Sequence, residues 1–194
     1  MMSDQLVESS VMGMDVARRL VLTKGREHVM AGEHTMDGMG DMDMAAGGIC
    51  KPTWVVLSPD DQRVYVPCNG RGDVLEIDRT SLEILRSFPT GAGPYNADVT
   101  PDGATLVVTL KGEQAVALID LASGEERRVG TSQPVTHGVA ITPDGRYAFV
   151  SNEAVGATRG TVDVIDLVKA EIAASTPLHY QPGGLGFWKM EGGR

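Results

Sequence analysis

One turn recurs along this chain at a fixed interval, and that interval limits the fold more than any other feature. Pro59, Pro101 and Pro143 stand 42 residues apart, inside the segments SPDDQRVYV, TPDGATLVV and TPDGRYAFVSN. Each segment leads to a run that ends in Ile-Asp, at Ile77-Asp78, Ile119-Asp120 and Ile165-Asp166. A unit of that size cannot bury its own apolar faces, so it must stack on copies of itself.

Each unit reads as an apolar run, a Pro-Asp turn, a second run, a polar loop, a third run closing on Asp, a turn, and a fourth run. In the first complete unit the runs are TWVVL, RVYVPC, DVLEID and EILRSF. β-branched content, alternation and turn punctuation mark them as strands. Pro presets φ at the second turn position, Asp closes a local side-chain hydrogen bond, and Gly103 or Gly145 tolerates positive φ. Four antiparallel strands in roughly 40 residues make the blade of a β-propeller. The expected fold is therefore all-β, with three complete four-stranded blades and partial blades at both termini.

These segments resemble the YVTN-type propellers of bacterial and archaeal surface and periplasmic proteins, a family related to the propeller that holds haem d1 in nitrite reductases. The resemblance runs from Ile49 to about Met190. It implies a binding or scaffold protein of the cell envelope, located in the periplasm or at the cell surface. It does not specify a function, because one scaffold of this kind carries many.

The units divide the chain into a partial blade (1–24), an insertion (25–48), blades at 49–90, 91–132 and 133–178, and a closing first strand with a tail (179–194). DQLVESSV and VARRLVLTKG resemble the last two strands of a blade, and GGLGFWKM resembles a first strand. A propeller takes about 4–8 blades to close. The expectation is the C-terminal part of a larger propeller; the alternative is a small four-bladed ring with one deficient blade. An open arc leaves apolar faces uncovered, so self-association through those faces is expected.

A formal charge of −9 argues against a general nucleic-acid or anionic-membrane surface. No apolar run approaches the roughly 18 residues of a membrane span, and MMSDQLVESS carries no export-signal pattern. No nucleophile elbow, phosphate loop, dinucleotide fingerprint or paired-carboxylate signature occurs, so nothing here supports catalysis.

In a propeller the loops after the second and fourth strands share one face. That face should carry His137, Tyr95, Asn96, Asn152 and Arg159 as candidate ligand-binding residues, with Lys111, Glu153, Arg71, His179 and Tyr180 nearby. His137 precedes a strand that lines the channel, where it serves either as a ligand or as a partner to the backbone. The insertion 25–48 belongs to the same face and holds half of the ten Met residues. His28, Met30, His34, Met36, Met39, Met42 and Met44 form a set of soft thioether and imidazole donors that suits copper or silver. The bland reading is a low-complexity insertion. The identity of the ligand or protein partner stays open, with a copper-binding protein as one alternative. A redox accessory that holds haem or a quinone through His137 is the other.

Cys50 and Cys68 flank the first hairpin, and counting outward from its turn brings them nearly level across the strands. A disulfide is the preferred reading, which implies an oxidising compartment. Two free thiolates joining a copper site is the alternative.

Overall fold

The computed structural model describes residues 5–9, 16–22 and 48–188. The strands are β1 (Gln5–Ser9), β2 (Val16–Val21), β3 (Val56–Leu57), β4 (Arg63–Cys68), β5 (Asp73–Asp78), β6 (Ile84–Pro89) and β7 (Pro94–Val99). They continue with β8 (Thr105–Leu110), β9 (Ala115–Asp120), β10 (Glu126–Gly130), β11 (Thr136–Ile141), β12 (Tyr147–Asn152), β13 (Thr161–Asp166) and β14 (Glu171–Pro177). β3 to β6, β7 to β10 and β11 to β14 form three four-stranded antiparallel sheets in sequence order, and β1 pairs with β2 alone. No described helix is long and apolar enough to cross a membrane.

The turns follow from local chemistry. Asp60 Oδ1, Asp102 Oδ1 and Asp144 Oδ1 accept the hydroxyls of Ser58, Thr100 and Thr142, and backbone N–H groups two residues on. Gly103 and Gly145 take positive φ, and Asp61 takes the same conformation in the first blade. At the far end of each third strand, Asp78, Asp120 and Asp166 accept the N–H groups of the turn that follows. The recurring acidic residues are thus turn caps.

Alternation along each strand sends successive side chains to opposite neighbours, which is how the blades stack. In β9, Ala117 and Ile119 face the first blade, whereas Val116 and Leu118 face the third. Tyr65, Val74 and Phe88 meet Leu106, Val108 and Leu110 between blades one and two. Burial there pushes the Tyr65 phenol up to about 12. Between blades two and three, Val107, Val116 and Leu118 meet Val139, Ile141, Ala148 and Val150. Leu20 and Leu22 of the leading hairpin cover Val64, Val66, Leu75 and Ile77 of the first blade. Both faces of the middle strands are buried, which is why they read as near-continuous apolar runs.

The first strand of each blade is bulged in the same place. The register slips between Pro94 and Ala97 in β7 and between Thr136 and Val139 in β11. In the first blade, Pro52 bridges Cys68 before Val56 pairs with Tyr65. Only Val56 and Leu57 of the expected strand TWVVL lie in the ladder. Trp54 and Val55 fall at the bulge and lie exposed, with no preceding inner strand among the described residues to pack against.

Cys50 and Cys68 form a disulfide, buried with the apolar side chains under the leading hairpin. With both sulfurs in that bond, they cannot serve as the thiolate ligands considered above.

Candidate functional site

A bulge turns a side chain out of the alternation, and such kinks often aim residues at functional sites. Here the bulges place Tyr95 and His137 at the start of neighbouring inner strands, one repeat apart. Lys111 and Glu153, again one repeat apart, head the loops that follow β8 and β12. The four converge between the second and third blades. The Tyr95 and His137 rings lie 4.5 Å apart, tilted by 52°. The Lys111 ammonium sits 4.4 Å above the Tyr95 ring, and its Nζ lies 3.2 Å from Glu153 Oε2. Glu153 Oε1 is 3.3 Å from His137 Nε2.

The backbone holds this arrangement in register. Thr109 donates its hydroxyl to the His137 carbonyl at 2.8 Å, as Thr53 does to the Tyr95 carbonyl at 2.6 Å. The N–H of Glu153 donates to the Val135 carbonyl at 3.0 Å. The corresponding residues of the first blade, Thr53 and Asn69, bond to the backbone of the second blade. The charged and aromatic set is therefore specific to the junction of blades two and three.

His137 is mostly buried, and desolvation holds its imidazole below the usual range; Glu153 opposes that shift and Lys111 adds to it. The Nε2 contact with Glu153 favours a proton on that nitrogen, which leaves Nδ1 a lone-pair acceptor. Nδ1 is buried and has no partner among the described residues. With the folded pKa depressed, the unfolded chain binds more protons as pH falls. Stability is then lost as pH drops below the ordinary histidine range toward the folded value. Urea titrations of wild type and His137→Gln between pH 5 and 7.5 should show the steeper acid loss in wild type; parallel curves would show that His137 is not held neutral.

The remaining candidates divide. Asn152 is buried and donates to Thr161 Oγ1 at 2.9 Å and to Asp163 Oδ2 at 2.7 Å. Asp163 is also bound by the Ser132 N–H and hydroxyl and by the Ser175 hydroxyl. Asn152 thus belongs to a network that ties the third blade together, although its Oδ1 has no partner among the described residues. Asn96 is buried beside Tyr95, its N–H donating to Thr109 Oγ1 at 2.9 Å. Arg159 is exposed in the loop between β12 and β13.

That loop, residues 153–160, is longer than its counterpart 111–114, and the extra residues displace the repeat beyond it. The residue that follows Tyr95 and His137 in the series is consequently Gly183, whose carbonyl accepts the Ser151 hydroxyl as His137 accepts that of Thr109. His179 and Tyr180 are exposed, and the His179 carbonyl accepts the Gly160 N–H.

His28, Met30, His34, Met36, Met39, Met42 and Met44 lie outside the described residues. The flanks of that segment are defined. Arg71 Nη1 lies 3.4 Å from the Leu22 carbonyl, and a Cβ on Gly48 would stand 3.3 Å from the Gly70 carbonyl. Both flanks therefore meet the loop between β4 and β5. Among the described residues, no group of three or more His, Cys, Asp or Glu side chains converges as metal ligands.

Comparison with known proteins supports the propeller. No protein-family model matches the chain. Over 84 residues it is 37% identical to hydrazine synthase subunit beta of Kuenenia stuttgartiensis, a match that takes in 40% of this chain and 22% of that protein. The hydrazine synthase structure from Kuenenia stuttgartiensis superposes with a TM-score of 0.66 at 23% identity, over 78% of this chain and 42% of that one. The β-propeller domain of Cps50 (Swd1) from Myceliophteria thermophila gives 0.65 at 17% identity, over 93% of this chain and 51% of that one. The chain is a β-propeller arc. It spans about half or less of each of these proteins, and what the solved structures share with it is the propeller fold.

Proposed function

We propose that this protein is a non-enzymatic propeller of the cell envelope, of the YVTN type, that holds a protein partner on its loop face at the Tyr95, Lys111, His137 and Glu153 cluster. The observation that carries this reading is where hydrogen-bonding capacity is left over. Thr90 Oγ1, His137 Nδ1 and Asn152 Oδ1 are buried side-chain atoms without a partner among the described residues. All three lie in or beside the loops of that face, whereas the Pro-Asp turns opposite satisfy their own groups. Unpaired buried polar atoms are costly, and a partner whose docking shifts these loops and brings hydrogen-bonding groups to them would remove the cost. The disulfide supports an oxidising compartment. The local similarity to a protein named as a subunit supports a partner that is itself a protein.

Photo-crosslinking tests the reading. A benzophenone side chain in place of Arg159 on the loop face should capture a discrete partner in envelope extracts, and one in place of Asp102 on the turn face should not. Equal capture at both positions, or none at Arg159, would remove the loop face from the proposal.

A second reading rests on the Met/His segment, whose flanks reach the same face. Thioether sulfur is a soft donor that serves Cu(I) and adds little to a zinc site. Replacing Met36, Met39, Met42 and Met44 by Leu keeps the apolar bulk and should lower Cu(I) affinity at least tenfold in competition with a Cu(I) chelator. Unchanged affinity, or no binding by wild type, would leave the segment without a copper role.

A further inference from the structure

We propose that the loop face takes an aromatic side chain of its partner into a slot between His137 and Gly183, where that ring stands as the third member of a series that Tyr95 and His137 begin. This rests on reading the loop face as a binding surface, and it names the chemistry of what is bound.

The repeat defines the slot. Tyr95, His137 and Gly183 stand at equivalent places in successive blades, and two residues before each of them Gly93, Val135 and Gln181 take the same positive φ. The Thr109 hydroxyl holds the His137 carbonyl as the Ser151 hydroxyl holds the Gly183 carbonyl. The three residues are therefore in register. Between the first two, ring meets ring at 4.5 Å. At the next step glycine supplies no ring, and the outer side of His137 is left without its counterpart.

Nothing in the fold requires a glycine there. A Cβ on Gly183 would meet no described atom within 4 Å beyond its chain neighbours, and its φ lies outside the left-handed region. Gly138 shows the opposite case: a Cβ there would stand 2.9 Å from the Leu185 nitrogen and 3.0 Å from the Gly183 carbonyl. That close approach lays residues 183–185 against β11 and fixes the far wall of the slot. Packing thus demands Gly138, whereas at Gly183 it leaves open space beside an imidazole.

The walls suit an aromatic guest. Desolvation keeps the His137 ring neutral, so its face stacks without having to shed a charge. Glu153, 3.3 Å from His137 Nε2, keeps about a fifth of its side chain exposed (22%) and can accept the O–H of a tyrosine or the N–H of a tryptophan. Such side chains bring a large, rigid contact area with few rotatable bonds.

N-acetyl-tyrosinamide added to the 194-residue protein tests the slot without the natural partner. The readout is the imidazole C–H resonances of His137, which His137→Gln identifies among the four histidines. The expected result is a saturable ring-current shift at His137 that N-acetyl-leucinamide does not produce. Gly183→Tyr puts the chain's own ring in the slot: it should keep the β-sheet circular dichroism, shift the His137 signals with no probe present, and weaken probe binding about tenfold. Gly184→Tyr, one residue along and equally unobstructed, should leave binding within roughly twofold. No shift at His137, an equal shift with the leucine amide, or unchanged affinity in Gly183→Tyr would each overturn the proposal. Partner capture at position 159 without probe binding would remove the slot and keep the loop face as a docking surface; probe binding without capture would do the reverse.

Discussion

Leu118→Ala should destabilise the protein by about 3 kcal/mol, within the range for emptying a well-packed leucine site. Leu118 is 1% exposed and points from the second blade into the third, beside Val116 and Val129. Each blade borrows its core from its neighbours, so a cavity at this junction weakens both sheets. The ladder that holds β9 cannot tighten around the void without breaking its register with β8 and β10. Leu85→Ala is the control: Leu85 is 46% exposed and should stay within roughly 0.5 kcal/mol of wild type. Urea unfolding compares them, and equal midpoints would show that the contact between blades two and three adds little to stability.

Removing the disulfide should cost a similar amount. Cys50 and Cys68 are 18 residues apart, and a loop of that length gives about 3 kcal/mol through restriction of the unfolded chain. For a chain of this size that is roughly 10 °C in Tm. The consequence is also local, because the bond fixes the approach to the first inner strand, where the ladder contains only Val56 and Leu57. Cys50→Ala with Cys68→Ala should lower Tm by that amount, and thiol labelling of the unreduced, denatured wild type should find no free sulfhydryl. Full labelling, or an unchanged Tm in the double variant, would remove the bond from the account of stability.

Some of the site is legible in the sequence alone. Strand order decides which loops share an end of a propeller, and it puts Tyr95, His137, Lys111 and Glu153 on the loop face. It does not by itself pair them. The 42-residue interval offers the missing signal, since Tyr95 and His137 are one repeat apart and so are Lys111 and Glu153. Equivalent positions in successive blades meet at the same height. His179 shows where that signal fails: the longer loop before β13 shifts the series, and Gly183 takes the position that counting repeats would give to His179.

The amino-acid sequence by itself determined the blades. Their turns depend on side chains that reach two or three residues along the chain, such as Asp102 to Ala104 and Asp120 to Ser123, and their strands on alternation that is visible within six residues. Interactions of that range are written in adjacent letters. Only the tertiary structure decided which of those letters meet across blades. The bulges at Tyr95 and His137 turn two side chains out of the alternation, and the packing of the second blade on the third brings Lys111 and Glu153 to them. The same stacking buries Ala97 and Val99 but leaves Val55 and Leu57 in solvent, although the four occupy equivalent places in the repeat. Burial depends on what stands opposite a residue in space, and local sequence does not contain that information.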